Sequence, residues 1–246
     1  MTDAAMPFTA MVLAGGLGTR LRSVVSDRPK PMAMVGNVPF LEILLRDLAR
    51  KGVRRCVVLT GHMGEIIEEY FQDLPVKEMD IRCCREESPL GTGGAVKNAE
   101  AFATDPTLLV NGDTFFDADV EALFRFHRGK DAGATLSLRH VSDVSRYGSV
   151  VVDEHGLITE FLEKEPGVHR PGLVNAGLSL LSYSTIRDLP AGRAFSMEAE
   201  VFPALARSGH MAGLPQNGAF FDIGTPESYK AFLTFVEEHR ADFRKS

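Results

Sequence analysis

The sequence predicts an α/β protein with a mostly parallel central sheet. Three observations carry that expectation. Short apolar runs alternate with helix-spaced segments through the first half of the chain. The first apolar run ends on a cluster of glycines, as a buried strand feeding a loop does. The chain has 246 residues, 44% hydrophobic and 24% charged, enough for one sizeable core.

The elements follow in order. Phe8–Leu13 is a short apolar run and reads as the first strand. Pro39–Lys51 places Phe40, Leu41, Leu44, Leu45 and Leu48 at helical spacing, and Gly52 supplies a stop. Arg54–Thr60 is a second strand, Glu65–Phe71 a helix and Ile81–Arg85 a third strand. Gly94–Phe102 reads as a helix, Thr107–Asn111 as a strand and Asp119–Arg128 as a helix. Strands alternating with helices of this length imply βαβ units and right-handed crossovers. After about residue 130 the rhythm changes. Ala134–His140, Ser149–Val152 and Leu173–Ser182 read as strands, and Gly156–Ile158 as a turn into another. Met197–Ser208 reads as one helix capped by Ser196, and Phe220–Ile223 precedes a helix capped by Thr225 with Pro226 at its first position. No repeat or linker interrupts the chain. It therefore reads as one domain, residues 1–246, with lobes of about 1–130 and 131–246.

Charge and cysteine content exclude several classes. With 27 basic and 33 acidic residues the net charge is −6, which disfavours a nucleic-acid partner. Cys56, Cys83 and Cys84 form neither a disulfide framework nor a zinc motif and read as reduced thiols, which fits a cytoplasmic protein. No apolar run has membrane-span length, and the N-terminal apolar run lacks the basic leader of a signal peptide.

The strongest chemical signal is Leu13-Ala14-Gly15-Gly16-Leu17-Gly18-Thr19-Arg20-Leu21, directly after the first strand. Glycines at a strand's carboxyl end let backbone N–H groups approach phosphate oxygens. The dinucleotide fingerprint lacks its third glycine, where Leu21 stands, and a P-loop Gly-Lys-Ser/Thr is absent. Pro29-Lys30-Pro31-Met32 follows, with a lysine set between two prolines.

Together these segments resemble the signature of the sugar 1-phosphate nucleotidyltransferases. Further matches come in the family's order: Pro89-Leu90-Gly91-Thr92-Gly93-Gly94-Ala95, Asn111-Gly112-Asp113, Glu163-Lys164, Val174-Asn175-Ala176-Gly177, and Phe221-Asp222-Ile223-Gly224-Thr225-Pro226-Glu227. The similarity spans roughly residues 8 to 235. It implies a Rossmann-like three-layer α/β/α arrangement of the glycosyltransferase-A-like kind, an Mg²⁺ cofactor, and transfer of a nucleotidyl group to a sugar 1-phosphate with release of pyrophosphate.

The same resemblance implies a role for each residue. Leu13, Ala14, Gly15, Gly16, Gly18 and Thr19 would border the triphosphate, with Gly91, Thr92 and Gly112 completing the nucleotide site. Arg20 and Lys30 would neutralise the reacting phosphates, and Asp113 and Asp222 would hold the metal, Asp113 counting also as catalytic. Gly148, Glu163, Lys164, Asn175 and Glu198 would serve the sugar phosphate. Taken alone, Asp113 is also a turn residue after Asn-Gly, Glu163-Lys164 an exposed charge pair, and Glu198 an acidic residue that the helix dipole favours.

Within the family, residues 16–27, with Arg22, Ser23, Val24, Val25 and Ser26, run close to the D-glycero-α-D-manno-heptose 1-phosphate guanylyltransferases, as do residues 111–117. GTP and that heptose 1-phosphate are therefore the expected substrates, for a monomer or homodimer acting in cell-surface polysaccharide synthesis. A uridylyltransferase acting on a sugar such as N-acetylmuramate 1-phosphate and a mannose 1-phosphate guanylyltransferase stand as alternatives. A sugar-nucleotide sensor without turnover is the reading from another class. Intact Arg20, Lys30, Asp113 and Asp222 weigh against it. An NAD(P)-dependent oxidoreductase lacks both its third glycine and an acidic residue at Leu59-Thr60.

Overall fold

The computed structural model describes residues 5–16, 18, 21, 24–73, 76, 78–162, 167, 169–239 and 243. The chain forms two compact units, each assembled from separated stretches. The first comprises Met1–Pro89, Val110–Phe115 and Phe221–Ser246, and the second Leu90–Leu109 and Phe116–Phe220. The fold is α/β, a mostly parallel central sheet flanked by helices.

In the first unit, β1 (Ala10–Leu13), β4 (Arg55–Thr60) and β5 (Asp80–Arg85) lie side by side and parallel. Ala10 stands opposite Cys56, and Arg55 opposite Asp80. β1 and β4 are almost wholly buried, which is why both read as short, continuous apolar runs. A small hairpin of β2 (Met34–Val35) and β3 (Val38–Pro39) leads into α1 (Phe40–Arg50). α1 buries Phe40, Leu41, Leu44, Leu45 and Leu48, as their spacing predicts. It also buries two carboxylates, each with partners. Glu42 takes the Arg46 guanidinium and the Tyr70 hydroxyl, while Asp47 takes Arg50 at 2.8 Å and Lys51 at 2.6 Å. Gly52, at φ +87°, ends the helix in a conformation that favours glycine. α2 (Gly64–Asp73) and α7 (Pro226–Glu238) complete this unit. α7 opens with a full capping box between Thr225 and Ser228 and brings Phe232 within 5.0 Å of Phe40.

The second unit holds α3 (Gly91–Asn98), α4 (Val120–Arg128), α5 (Tyr183–Arg187) and α6 (Phe202–Arg207). β11 (Gly172–Leu181) pairs antiparallel with both β8 (Ala134–Val141) and β9 (Ser149–Val152). β10 (Ile158–Leu162) continues antiparallel from β9, and β12 (Met211–Pro215) runs parallel to β8. The residues of β6 (Thr107–Asn111), β7 (Thr114–Phe116) and β13 (Phe220–Asp222) are divided between the units.

Two helices differ from their sequence expectation. The helix expected over Gly94–Phe102 begins at Gly91 and gives way to a 3₁₀ turn at Glu100–Phe102. The one expected over Met197–Ser208 is a π-helical turn, Met197–Val201, followed by α6. Pro203 has no N–H to give the ladder there, so the helix is remade at Phe202. Ser196 caps the turn as expected.

Candidate active site

In the first unit the chain leaves β1 locked at both sides. The Ala14 N–H donates to the Leu59 carbonyl at 2.9 Å, and the Gly112 N–H to the Leu13 carbonyl at 2.9 Å. Gly112 is therefore required by packing, because a Cβ there would stand 2.4 Å from the Leu13 oxygen. Its N–H is committed to the protein. Gly18, at φ +59°, turns the loop so that its α-carbon packs against the Lys30 side chain. Gly16 differs, since a Cβ built on it meets nothing within 4 Å among the described residues. Among the described residues, Gly16 is thus the glycine of this loop with nothing packed beside its backbone. Thr19 and Arg20 lie outside the described residues, as do Arg22 and Ser23 of the extended loop.

Lys30 opens a 3₁₀ turn, Lys30–Met32, set by the extended Pro29 before it. Only 9% of its side chain is exposed. Burying an ammonium requires countercharge, and two carboxylates supply it. Lys30 Nζ lies 2.6 Å from Asp113 Oδ2 and 3.7 Å from Asp222 Oδ1. The turn between β6 and β7 carries Asp113, and the Thr114 hydroxyl donates to its Oδ1 at 3.2 Å. Asp222 ends β13, and its Oδ1 accepts the Gly224 N–H at 2.7 Å. The two strand ends are tied together, with the Ile223 N–H donating to the Asp113 carbonyl at 3.0 Å. Gly224 is needed there: a Cβ would come within 2.7 Å of Asp222 Oδ1 and 3.2 Å of Lys30 Nζ.

The structure thus brings together Lys30, Asp113 and Asp222, residues far apart in sequence. Two carboxylates within 4 Å of one ammonium are close enough to share a small cation. Hard oxygen donors of this number suit Mg²⁺, which completes its shell with water and phosphate. Among the described residues no cluster of three or more histidine, cysteine or acidic side chains forms a self-sufficient metal cage.

The second unit holds the other expected residues. Gly91, at φ +68°, and Gly93 are pressed onto the loop before the π-helical turn. A Cβ on Gly91 would lie 2.5 Å from the Phe195 carbonyl oxygen, and one on Gly93 only 2.1 Å from the Phe195 ring. Backbone bonds fasten the same segments, Gly93 N–H to the Phe195 carbonyl at 3.0 Å and Phe195 N–H to that of Leu90 at 2.9 Å. The Thr92 hydroxyl donates to Glu198 Oε2 at 2.7 Å. Gly148 packs on Phe161, and its carbonyl accepts the Asn175 N–H at 3.0 Å. Asn175 Oδ1 takes the Gly177 N–H at 3.1 Å, where the register of β11 shifts and Gly177 adopts φ +82°. Glu163 and Lys164 lie outside the described residues.

One residue escaped the sequence reading. Glu86 follows β5, and its Oε1 lies where Cβ atoms on Gly15 and Gly61 would come within 3.0 and 2.4 Å. A carboxylate therefore rests against the glycine loop. A polar residue in a loop carries no periodic signal, so only the third dimension shows this. The second unit also has a cavity of about 740 Å³ bordered by Thr185, Leu189, Arg193, Glu200 and His210, and no expected site residue lines it.

A glycine loop leaving the first strand, beside a lysine held by two aspartates, is the arrangement of an enzyme that moves phosphate-bearing groups with a cation. The comparisons make that class specific. The nucleotidyl transferase family model matches residues 9–239, and the chain belongs to that family. The D-glycero-α-D-manno-heptose 1-phosphate guanylyltransferase of Campylobacter jejuni is 37% identical over 91% of this chain and 98% of its own length. The mannose-1-phosphate guanylyltransferase of Mycobacterium tuberculosis is also 37% identical, over 89% of this chain and 62% of its own. Among solved structures, HddC from Yersinia pseudotuberculosis complexed with GMP-PN is 33% identical, with a TM-score of 0.81 over 93% of this chain and 99% of that one. The chain is accordingly a nucleotidyltransferase, of a family that generally uses a divalent metal.

Proposed function

We propose that the protein transfers a guanylyl group from GTP to D-glycero-α-D-manno-heptose 1-phosphate, giving GDP-heptose and pyrophosphate in the cytoplasm. The observation that carries the chemistry is the Lys30 ammonium between Asp113 and Asp222 in the unit that also holds the glycine loop. A phosphate oxygen of the sugar 1-phosphate attacks the α-phosphorus of GTP. The bond from that phosphorus to the bridging oxygen breaks, and pyrophosphate leaves with the electron pair. The attacking oxygen is already ionised at neutral pH, so no general base is needed. Catalysis then reduces to alignment and charge neutralisation.

The chain's own groups have distinct tasks. The bare backbone at Gly16 admits the triphosphate closely. Lys30, pre-oriented by its carboxylate partners, meets charge on the reacting phosphates, and Arg20 meets it on the departing pyrophosphate. Mg²⁺, held by Asp113 and Asp222, would supply further neutralisation across the phosphates when bound. Glu163, Lys164, Asn175 and Gly148 take the sugar phosphate.

Guanine as the base is supported by the name and length match of the C. jejuni relative and by the GMP-PN bound in the Y. pseudotuberculosis structure. The Glu86 carboxylate against the glycine loop suits it too. Guanine's N1–H and N2–H₂ offer two adjacent donors to a carboxylate, where uracil offers the single N3–H flanked by two carbonyl oxygens that would repel it. Three free thiols, Cys56, Cys83 and Cys84, support a reducing compartment. The M. tuberculosis relative supports mannose 1-phosphate as a second acceptor.

Pyrophosphate release tests the proposal, with GTP, UTP, ATP, CTP and dTTP each paired with heptose, mannose, glucose and N-acetylmuramate 1-phosphates. GTP with the manno-configured heptose should give the highest kcat/KM, and mannose 1-phosphate should be poorer. A higher kcat/KM for UTP with every acceptor would replace the guanylyl reading by a uridylyl one.

A further inference from the structure

Thr92 was expected at the nucleotide, but its hydrogen bonds lead elsewhere. Its oxygen accepts the Met197 N–H at 2.8 Å, and its single hydroxyl proton goes to Glu198 Oε2 at 2.7 Å. Ser196 is arranged in the same way. Its oxygen accepts the N–H groups of Glu198 and Ala199 at 3.1 and 3.2 Å, and its proton goes to that same Oε2 at 2.9 Å. Each hydroxyl thus has its single proton committed, and both protons converge on one oxygen. Glu198 Oε1 has no partner among the described residues, and the side chain is only half-buried. A carboxylate fixed by one oxygen and open at the other is built to accept a ligand hydroxyl.

The surroundings keep Thr92 in place. Gly91 and Gly93 on either side are packed against Phe195, and Gly93 N–H holds the Phe195 carbonyl. Glu198 sits in the π-helical turn Met197–Val201, which the Ser196 side chain caps. All these groups belong to the second unit.

We propose that Thr92 is a positioning residue for the acceptor: it holds Glu198 so that Oε1 accepts a hydroxyl of the sugar 1-phosphate. This rests on the functional reading above. Its consequence is that the Gly91–Thr92 segment, although it lies in a stretch associated with the nucleotide, governs affinity for the sugar.

Steady-state kinetics with GTP and D-glycero-α-D-manno-heptose 1-phosphate test it. Thr92→Val keeps the shape and removes the hydroxyl, so KM for the heptose phosphate should rise about ten- to a hundredfold, the scale of a lost hydrogen bond to a charged group. KM for GTP should hold within about twofold, and Thr92→Ser, which keeps the donor, should restore the sugar KM. In a Glu198→Ala background, which removes both oxygens, the same Thr92→Val change should add less than about twofold, because its target is gone. Ser196→Ala, which removes the other donor to Oε2, provides an independent perturbation should Thr92→Val fold poorly, and it should raise the same KM. A raised KM for GTP with the sugar KM unchanged would overturn the proposal. So would a full Thr92→Val effect in the Glu198→Ala background, or a Thr92→Ser variant as impaired as Thr92→Val. If wild type turns over only another nucleotide and sugar phosphate, the substrate assignment falls by itself, and the same variants are compared on that pair.

Discussion

Replacing Lys30 by methionine removes one charge and leaves two facing each other. The ammonium is 9% exposed, with carboxylates at 2.6 and 3.7 Å whose side chains are 37% and 14% exposed. With an effective dielectric of about 20, each attraction is on the order of 4–6 kcal/mol before solvation is counted. Desolvation of the three groups offsets most of that, and water reaching Asp113 screens its share further. What remains is the cost of two carboxylates held close by the Ile223–Asp113 backbone bond with no cation between them. Lying between the exposed and fully buried limits, Lys30→Met should destabilise the metal-free protein by about 2–4 kcal/mol. For a chain of this length that corresponds to a melting point lower by roughly 5–12 °C.

The assay is thermal or guanidinium unfolding with chelator, then with increasing Mg²⁺. A divalent cation can stand where the ammonium stood, so Mg²⁺ should stabilise the variant more than the wild type. It should not restore turnover, which falls by about 10²-fold or more with loss of a charge-stabilising group. Unchanged stability in chelator, or an identical Mg²⁺ response in the two proteins, would refute the view that Lys30 is held by its countercharges.

Asp113→Asn and Asp222→Asn should each lower kcat by roughly 10²-fold or more and raise the Mg²⁺ concentration at half-maximal rate. Wild-type kcat in both variants would remove them from the metal site. Gly93→Ala drives a methyl into the buried Phe195 ring and should destabilise by about 1–3 kcal/mol in chemical denaturation. Gly16→Ala meets nothing among the described residues, so it should unfold like wild type while losing GTP affinity by calorimetry. The opposite pattern would exchange the roles of the two glycines. His127 hydrogen-bonds Thr135 at 2.8 Å, and burial holds its imidazole below the ordinary value of 6.5. The unfolded chain then binds the proton more readily, so stability should fall as pH drops below 6.5. His127→Gln should flatten that part of the profile, and an equally steep decline in the variant would show that other groups cause it.

The parts of the site that were legible in the sequence are those that lie next to punctuation. Gly15, Gly16 and Gly18 follow an apolar run, and Lys30 stands between prolines. Asp113 and Asp222 each lie at or just beyond a short strand. Most strands and helices were legible for a similar reason, since β1, β4 and α1 are buried on the faces their apolar spacing marks. Contacts between distant segments were not. Nothing around Glu86 signals that its carboxylate touches Gly15, and nothing around Thr92 signals a bond to a residue 106 positions later. The glycines of residues 91–94 suggested approach to a ligand, yet Phe195 and Arg193 already occupy the space beside three of them. The strands missed, β2, β3, β7 and β12, are short, and Gly213 and Pro215 weaken the pattern of β12.

The division of the first unit among three stretches has a bearing on how the chain is made. A ribosome releases Lys30 early and Asp113 later, but Asp222 and α7 emerge only after the whole of the second unit. Every residue of the second unit has by then been synthesised, so that unit has all its parts first. Through that interval the apolar side of α1 lacks Phe232, the fully buried ring that packs on Phe40 and Phe115. A nascent chain paused before α7 would therefore show a greasy helix face and a lysine still short of its second countercharge. Such a chain is a natural client for a chaperone and a vulnerable one for a protease. Slow translation just before α7 should lower the yield of active enzyme more than an equal delay within the second unit.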